Sequence, residues 1–231
     1  MTTRQKGETC WFHSILNGFY MSRGARVLLM KKAKQFKVNK EVPLKSCPRV
    51  GSAMFWEYVY RHGRGAQFDQ NKVIKNSGLR SKNNKTNFGT GLDLGRFLDL
   101  TFPDEYAWIN SRIRSTGEFV HSKPVKMNKS PVKEPPQIIA CSFPYANITL
   151  APKTLLILGK KYKFSHAMIN GGSIFQDTGH SIAVTRTKLY DPMTGSLKTI
   201  SLDDNTLYKW YFKLYGTTET RFQNVLVYLK M

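Results

Sequence analysis

Acidic residues are scarce in this chain. Its 231 residues carry 15 Asp and Glu against 36 Lys and Arg, a net charge of +21. Small soluble domains hold a net charge of roughly 2–8, so solubility alone does not call for this excess. A field of that sign and size attracts polyanions, whether nucleic acid, an acidic protein surface or anionic lipid. Nothing in the sequence selects among them. Cysteine is scarce as well: Cys10, Cys47 and Cys141 are an odd set with no CxxC pair. That excludes a disulfide framework and a cysteine-rich zinc site, and it fits a reducing, intracellular compartment. Long apolar runs are missing too. The most apolar stretches, such as Thr154–Gly159, are strand-length, well short of the ~18–20 residues of a membrane span. No apolar stretch precedes Cys10, so no cleaved signal peptide is expected. The histidines and acids show no metal-ligand spacing, and neither a metal nor another cofactor is expected.

What is present is the material of a globular core, with 41% hydrophobic and 13% aromatic residues. The first half reads as helical. Ile15, Leu16, Phe19 and Tyr20 follow Trp11 at helical spacing, with Thr9 in position to cap. Further helical patterns run over Ala25–Phe36, Ser52–Arg61 and Asp93–Phe102, and Ser77–Gly91 reads as an exposed basic loop. Between Lys123 and Pro136 four prolines mark a linker that neither helix nor central strand tolerates. Short β-type runs follow at Gln137–Phe143, Leu155–Ile157, Ala167–Asn170, His180–Thr185, Leu189–Asp191 and Arg221–Leu229, with one late helix at Leu202–Tyr215. The expected architecture is a single α+β domain over 1–231. Its mainly helical half (1–122) packs across a linker (123–136) on an antiparallel sheet (137–231).

One constellation carries chemistry. A thiol attacks as its thiolate, and a helix N-terminus favours that form through unpaired N–H groups and a partial positive charge. Cys10 stands where the turn Lys6-Gly7-Glu8-Thr9 meets the first helix, with Trp11 and Phe12 to anchor the helix start. Cys47, in a Lys-Ser-Cys-Pro loop, and Cys141, within an apolar strand, read as inert. His180 opens an alternating strand, and a hairpin turning at Thr187-Lys188 would bring Asp191 beside it. A carboxylate there fixes the imidazole tautomer and stabilises the imidazolium. Cys10 as nucleophile, His180 as base and Asp191 as its orienting partner form the expected set. His166 is a rival base, but no carboxylate follows it at hairpin range. His13 reads as a packing or hydrogen-bonding residue, and His62 and His121 as residues of basic loops.

These residues resemble the papain superfamily of cysteine peptidases, and within it the ubiquitin-specific proteases. The family's Cys box reads Asn-x-Gly-Asn-Thr-Cys-Tyr-Met-Asn-Ser-x-Leu-Gln. The matching run here is Gln5-Lys6-Gly7-Glu8-Thr9-Cys10-Trp11-Phe12-His13-Ser14-Ile15-Leu16-Asn17. The family's Gly-His-Tyr box and its hairpin to an acidic residue are matched by Gly179-His180-Ser181 and Tyr190-Asp191, and its preceding strand and glycine turn by Ala167–Gly172. The Cys-Trp-Phe start is also similar to compact papain-like proteins of large DNA viruses. The resemblance implies a papain-like fold and a peptidase or isopeptidase acting on a protein or ubiquitin-like substrate. It further implies that Gln5, five residues before the cysteine, donates to the oxyanion. The likeness covers residues 4–20 and 162–192; Glu8 replaces the family's Asn, and no CxxC pairs exist for zinc-bearing fingers. A second reading keeps the fold without turnover, as a basic structural component of a viral particle or of a nucleic-acid-associated assembly. The charge and Glu8 favour the second reading, and the Cys–His–Asp–Gln set favours the first.

Overall fold

The computed structural model describes residues 10–35, 91–126, 130–143, 148–173, 179–200 and 220–231. Among the described residues three α-helices come first: α1 (Cys10–Met21), α2 (Arg23–Gln35) and α3 (Gly91–Thr101). Nine strands follow: β1 (Tyr106–Ile113), β2 (Phe119–His121), β3 (Ile138–Phe143), β4 (Thr154–Ile157), β5 (Lys160–Ser173), β6 (Gly179–Val184), β7 (Lys188–Asp191), β8 (Ser196–Thr199) and β9 (Thr220–Lys230). They form one sheet in the order β2-β1-β3-β9-β5-β6-β7-β8, with β4 paired to the first part of β5. All pairs are antiparallel except β1 with β3. The molecule is α+β with a mostly antiparallel sheet.

The central strands of the sheet are buried on both faces. Against one face lie α1, α2 and α3, through Leu16, Phe19, Leu29, Phe97 and Leu98 packed with Ile138, Met168 and Val227. Phe19 is the hub, in ring contact with Phe97, Phe102 and His166. The second core uses the alternate residues of the same strands, Ile139, Ile169, Leu226 and Tyr228, with Ile182 and Leu189 from the far strands. Burial of both faces explains why β3 reads as a continuous apolar run rather than an alternating one. The order of pairing places β9, last in the chain, between β3 and β5. Strands from both sides of the proline-rich segment therefore share one hydrogen-bonded ladder.

Several expectations are corrected. Strands β1 and β2 lie within 1–122, beside the three described helices of that mainly helical stretch. Its pattern was masked because Asn110, Ser111 and Arg112 interrupt the apolar run of β1. Within 123–136, Val125 bridges both Trp108 and Pro131. Strand β5 runs 14 residues, far beyond Ala167–Asn170. Its Gly171 and Gly172 are ladder residues paired with His180 and Gly179, not a turn. His121 ends β2 and bonds its ring Nδ1 to the Ser122 carbonyl, so it is not in a loop. The helices expected over Ser52–Arg61 and Leu202–Tyr215, the loop before Gly91, Cys47 and His62 lie outside the described residues.

Candidate active site

Cys10 is the first residue of α1, where N–H groups lack partners inside the helix and the positive end of its dipole lies. The helix start is seated on β6 one turn later: the buried Ser14 hydroxyl donates to the Ser181 carbonyl at 2.8 Å. Asn17 then donates back to the His13 carbonyl at 2.8 Å. Ser181 is the neighbour of His180, so this cross-link fixes the distance between the cysteine's helix and the histidine's strand. Sequence reasoning missed Ser14 as a positioning residue; its signal was a hydroxyl at a position where the helix otherwise turns apolar residues to the core.

His180 and Asp191 meet through the β6–β7 hairpin. Ala183 pairs with Tyr190 and Val184 with Leu189. Continuing that register sets Asp191 opposite Ile182, on the same side of the sheet as His180 and one diagonal step away. The hairpin closes with the Thr185 amide donating to the Lys188 carbonyl at 2.8 Å. His180 Nε2 donates to Asp191 Oδ1 at 2.9 Å, and both side chains are almost wholly buried. The same Oδ1 accepts the Met193 amide at 2.9 Å, an Asx-type turn that holds the carboxylate in place. Gly195, at φ 67°, completes this turn by donating its N–H to the Asp191 carbonyl.

The electrostatics follow from these bonds. Burial opposes a charged imidazole, but hydrogen bonds to Asp191 and Cys10, reinforced by their charges, overcome it and raise the His180 pKa to about 9. Burial likewise opposes the Asp191 carboxylate. The His180 hydrogen bond and charge, the Met193 amide and the Thr194 hydroxyl outweigh it and hold the group below its ordinary value. With Nε2 committed to Asp191, Nδ1 is the ring nitrogen left to face Cys10. An imidazole held this way can take a proton from a thiol, remain stable as imidazolium and return the proton to a leaving group.

The structure thus brings together Cys10, His180 and Asp191 as residues, while Gln5 and Glu8 lie outside the described residues, as do the side chains of Trp11 and Phe12. His166 has another place. It sits under α1 about two turns beyond Cys10, where a Cβ on Gly18 would come within 2.5 Å of its ring. Burial lowers its pKa to about 3, and its Nδ1 meets the Ser165 hydroxyl at 2.9 Å. It is a neutral core histidine. Cys141 is buried in β3 with its pKa raised to about 12 by burial, against a hydrogen bond to Ser111. His13 is fully buried. Among the described residues no three His, Cys, Asp or Glu side chains gather as a metal site requires.

No family model matches the chain, and no curated protein does. It is similar to a yeast SAGA DUB-module structure containing a mutant Sgf73, at 10% identity and a TM-score of 0.48. It is also similar to the SAGA Ubp8/Sgf11/Sus1/Sgf73 DUB module, at 10% identity and a TM-score of 0.48. Each match covers 100% of this chain, and 66% and 67% of the respective partners. The chain spans about two thirds of their length.

Proposed function

We propose that the protein is a cysteine-dependent peptidase or isopeptidase of papain-like type. The observation that carries this reading is the buried His180–Asp191 pair, 2.9 Å apart, with Cys10 opening the helix that Ser14 seats on the strand of His180. In the proposed reaction His180 takes the Cys10 proton as the sulfur attacks an amide carbonyl. Asp191 stabilises the imidazolium, which then protonates the departing amine, and water releases the acyl group by the same route in reverse. Gln5 and the Cys10 backbone N–H are the proposed oxyanion donors, a contribution of about 3 kcal/mol for one such donor. Water and the enzyme's own groups balance every proton.

A ubiquitin-like protein is the proposed substrate class, supported by the Cys10 and His180 sequence boxes. The test is incubation with a ubiquitin carrying a C-terminal electrophile, followed by mass spectrometry. The reading expects one covalent adduct, on Cys10, absent from Cys10→Ala and from His180→Ala. Labelling on Cys47 or Cys141 instead, or hydrolysis of peptide substrates that survives Cys10→Ala, contradicts it. The net charge of +21 favours a second function beside catalysis, association with a polyanion such as nucleic acid in a viral or cellular assembly. Binding of that kind is expected to persist in Cys10→Ala.

A further inference from the structure

Among the described residues, two exposed leucines stand together in the β4–β5 hairpin, apart from the exposed Leu150, Met193 and Leu197 of other segments. In the β4–β5 hairpin, Leu155, Ile157 and Tyr162 turn into the second core, which leaves Leu156 on the outer face opposite Lys161, and Thr154 opposite Lys163. Leu156 is 68% exposed. At the hairpin tip Leu158 is 43% exposed and adopts φ 48°, the left-handed region in which Gly, Asn or Asp is favoured. Folding gains nothing from leucine at either place. Met231, 70% exposed, adjoins them by donating its amide to the Lys161 carbonyl.

The same face continues onto α2. Leu229, paired with Lys163, abuts Gly24 so closely that a Cβ there would lie 2.8 Å away, and the Ser165 hydroxyl donates to Ser22 at 2.6 Å. Beyond Gly24, Arg23, Arg26 and Val27 all face solvent. The segments that build this surface contain no acid at all: residues 10–35, 148–173 and 220–231 lack Asp and Glu. None of its cations has an ion-pair partner among the described residues. The result is a cationic surface with aliphatic side chains exposed on it.

We infer that this face is a docking surface for an anionic membrane, with Leu156 and Leu158 entering the interfacial region and Lys161, Lys163, Arg23 and Arg26 meeting lipid headgroups. Long cationic stems lie along apolar surface while their heads stay at the phosphates. Nucleic acid satisfies the charge but offers no partner to aliphatic side chains, and single-stranded forms are gripped by aromatic rings, which this surface lacks among its exposed side chains. An anionic bilayer satisfies both at once. No helix among the described residues is long and apolar enough to cross a membrane, so the attachment is peripheral. The face lies at the far end of the 12-residue α1 from Cys10, ~18 Å along the helix. Docking there leaves the cysteine end of the helix turned away from the lipid.

The test is flotation of the full chain with vesicles of phosphatidylcholine alone and of phosphatidylcholine mixed with phosphatidylserine. Binding is expected only to the mixed vesicles, weakening as salt rises. Leu156→Ser with Leu158→Asn, and separately Lys161→Glu with Lys163→Glu, are each expected to weaken it roughly tenfold or more, with the circular dichroism spectrum and Cys10 alkylation unchanged. No binding to mixed vesicles overturns the proposal. So does binding that survives the leucine changes and is competed equally by duplex DNA, since the surface is then a general polyanion site. Binding of an acidic soluble protein that depends on the leucines while vesicles are ignored overturns it in favour of a protein partner.

Discussion

His180 and His166 are both buried, yet their environments drive them to opposite charge states, and this makes their contributions to stability separable by pH. His180 has a folded pKa of about 9, above the ordinary 6.5. Its stabilisation is therefore complete below 6.5 and lost as pH rises through about 9. His166 has a folded pKa of about 3, below 6.5. The unfolded chain binds the extra proton between those values, so the fold loses stability as pH falls below 6.5. Asp191, also held low, adds a loss as pH falls through its own folded value. Thermal unfolding followed from pH 4 to 9 should show His180→Gln flattening the alkaline limb and His166→Leu flattening the acid limb. Equal effects of both variants on both limbs contradict these assignments. Removing the carboxylate alone, in Asp191→Ala, leaves a buried imidazolium without its partner and should cost about 3 kcal/mol at neutral pH in urea unfolding.

The elements place these residues by a few specific contacts. Ser14 ties α1 to β6, and Ser14→Ala should lower stability by ~1 kcal/mol. It should also slow Cys10 alkylation while leaving the His180–Asp191 bond intact; an unchanged rate means the cross-link does not position the thiol. Gly18 admits the ring of His166, and Gly18→Ala should destabilise by about 1–3 kcal/mol through overpacking. Leu158 at the hairpin tip runs the other way. Leu158→Asn should raise stability by roughly 0.5–1 kcal/mol, because asparagine tolerates the left-handed conformation. At this scale the limits of sequence reading are concrete. The β6–β7 hairpin was legible because His180–Val184 and Leu189–Asp191 flank an unambiguous turn. The start of α1 was legible because its apolar residues recur at helical spacing. The polar residues of β1 and the exposed Ser-Leu-Lys-Thr of β8 hide those strands from an apolar pattern, and the lysines and glycines of β5 leave only Ala167–Asn170 of its 14 residues legible. The burial of His166 depends on Gly18, a contact between residues far apart in sequence that no local pattern encodes.

For the whole molecule, the position of β9 between β3 and β5 implies that the sheet folds as one unit. Hydrogen exchange should protect the amides of β3, β5 and β9 to a similar degree, with β2 and β8 at the edges exchanging sooner. A β3 that exchanges independently of β5 contradicts this. The same arrangement puts the Cys10 end of α1 over the β6–β7 hairpin and the basic aliphatic face near its other end, so catalysis and docking are predicted to be separable by mutation. The central claim is that Cys10 and His180 act as a pair. The most direct measurement is the rate of Cys10 alkylation by iodoacetamide from pH 5 to 9, read by peptide mass spectrometry in the wild type and in His180→Ala, with buried Cys141 as internal control. The account predicts rapid labelling at Cys10, slowed by orders of magnitude in His180→Ala, and none at Cys141 in the folded protein. Labelling of Cys10 that is indifferent to His180→Ala would contradict it.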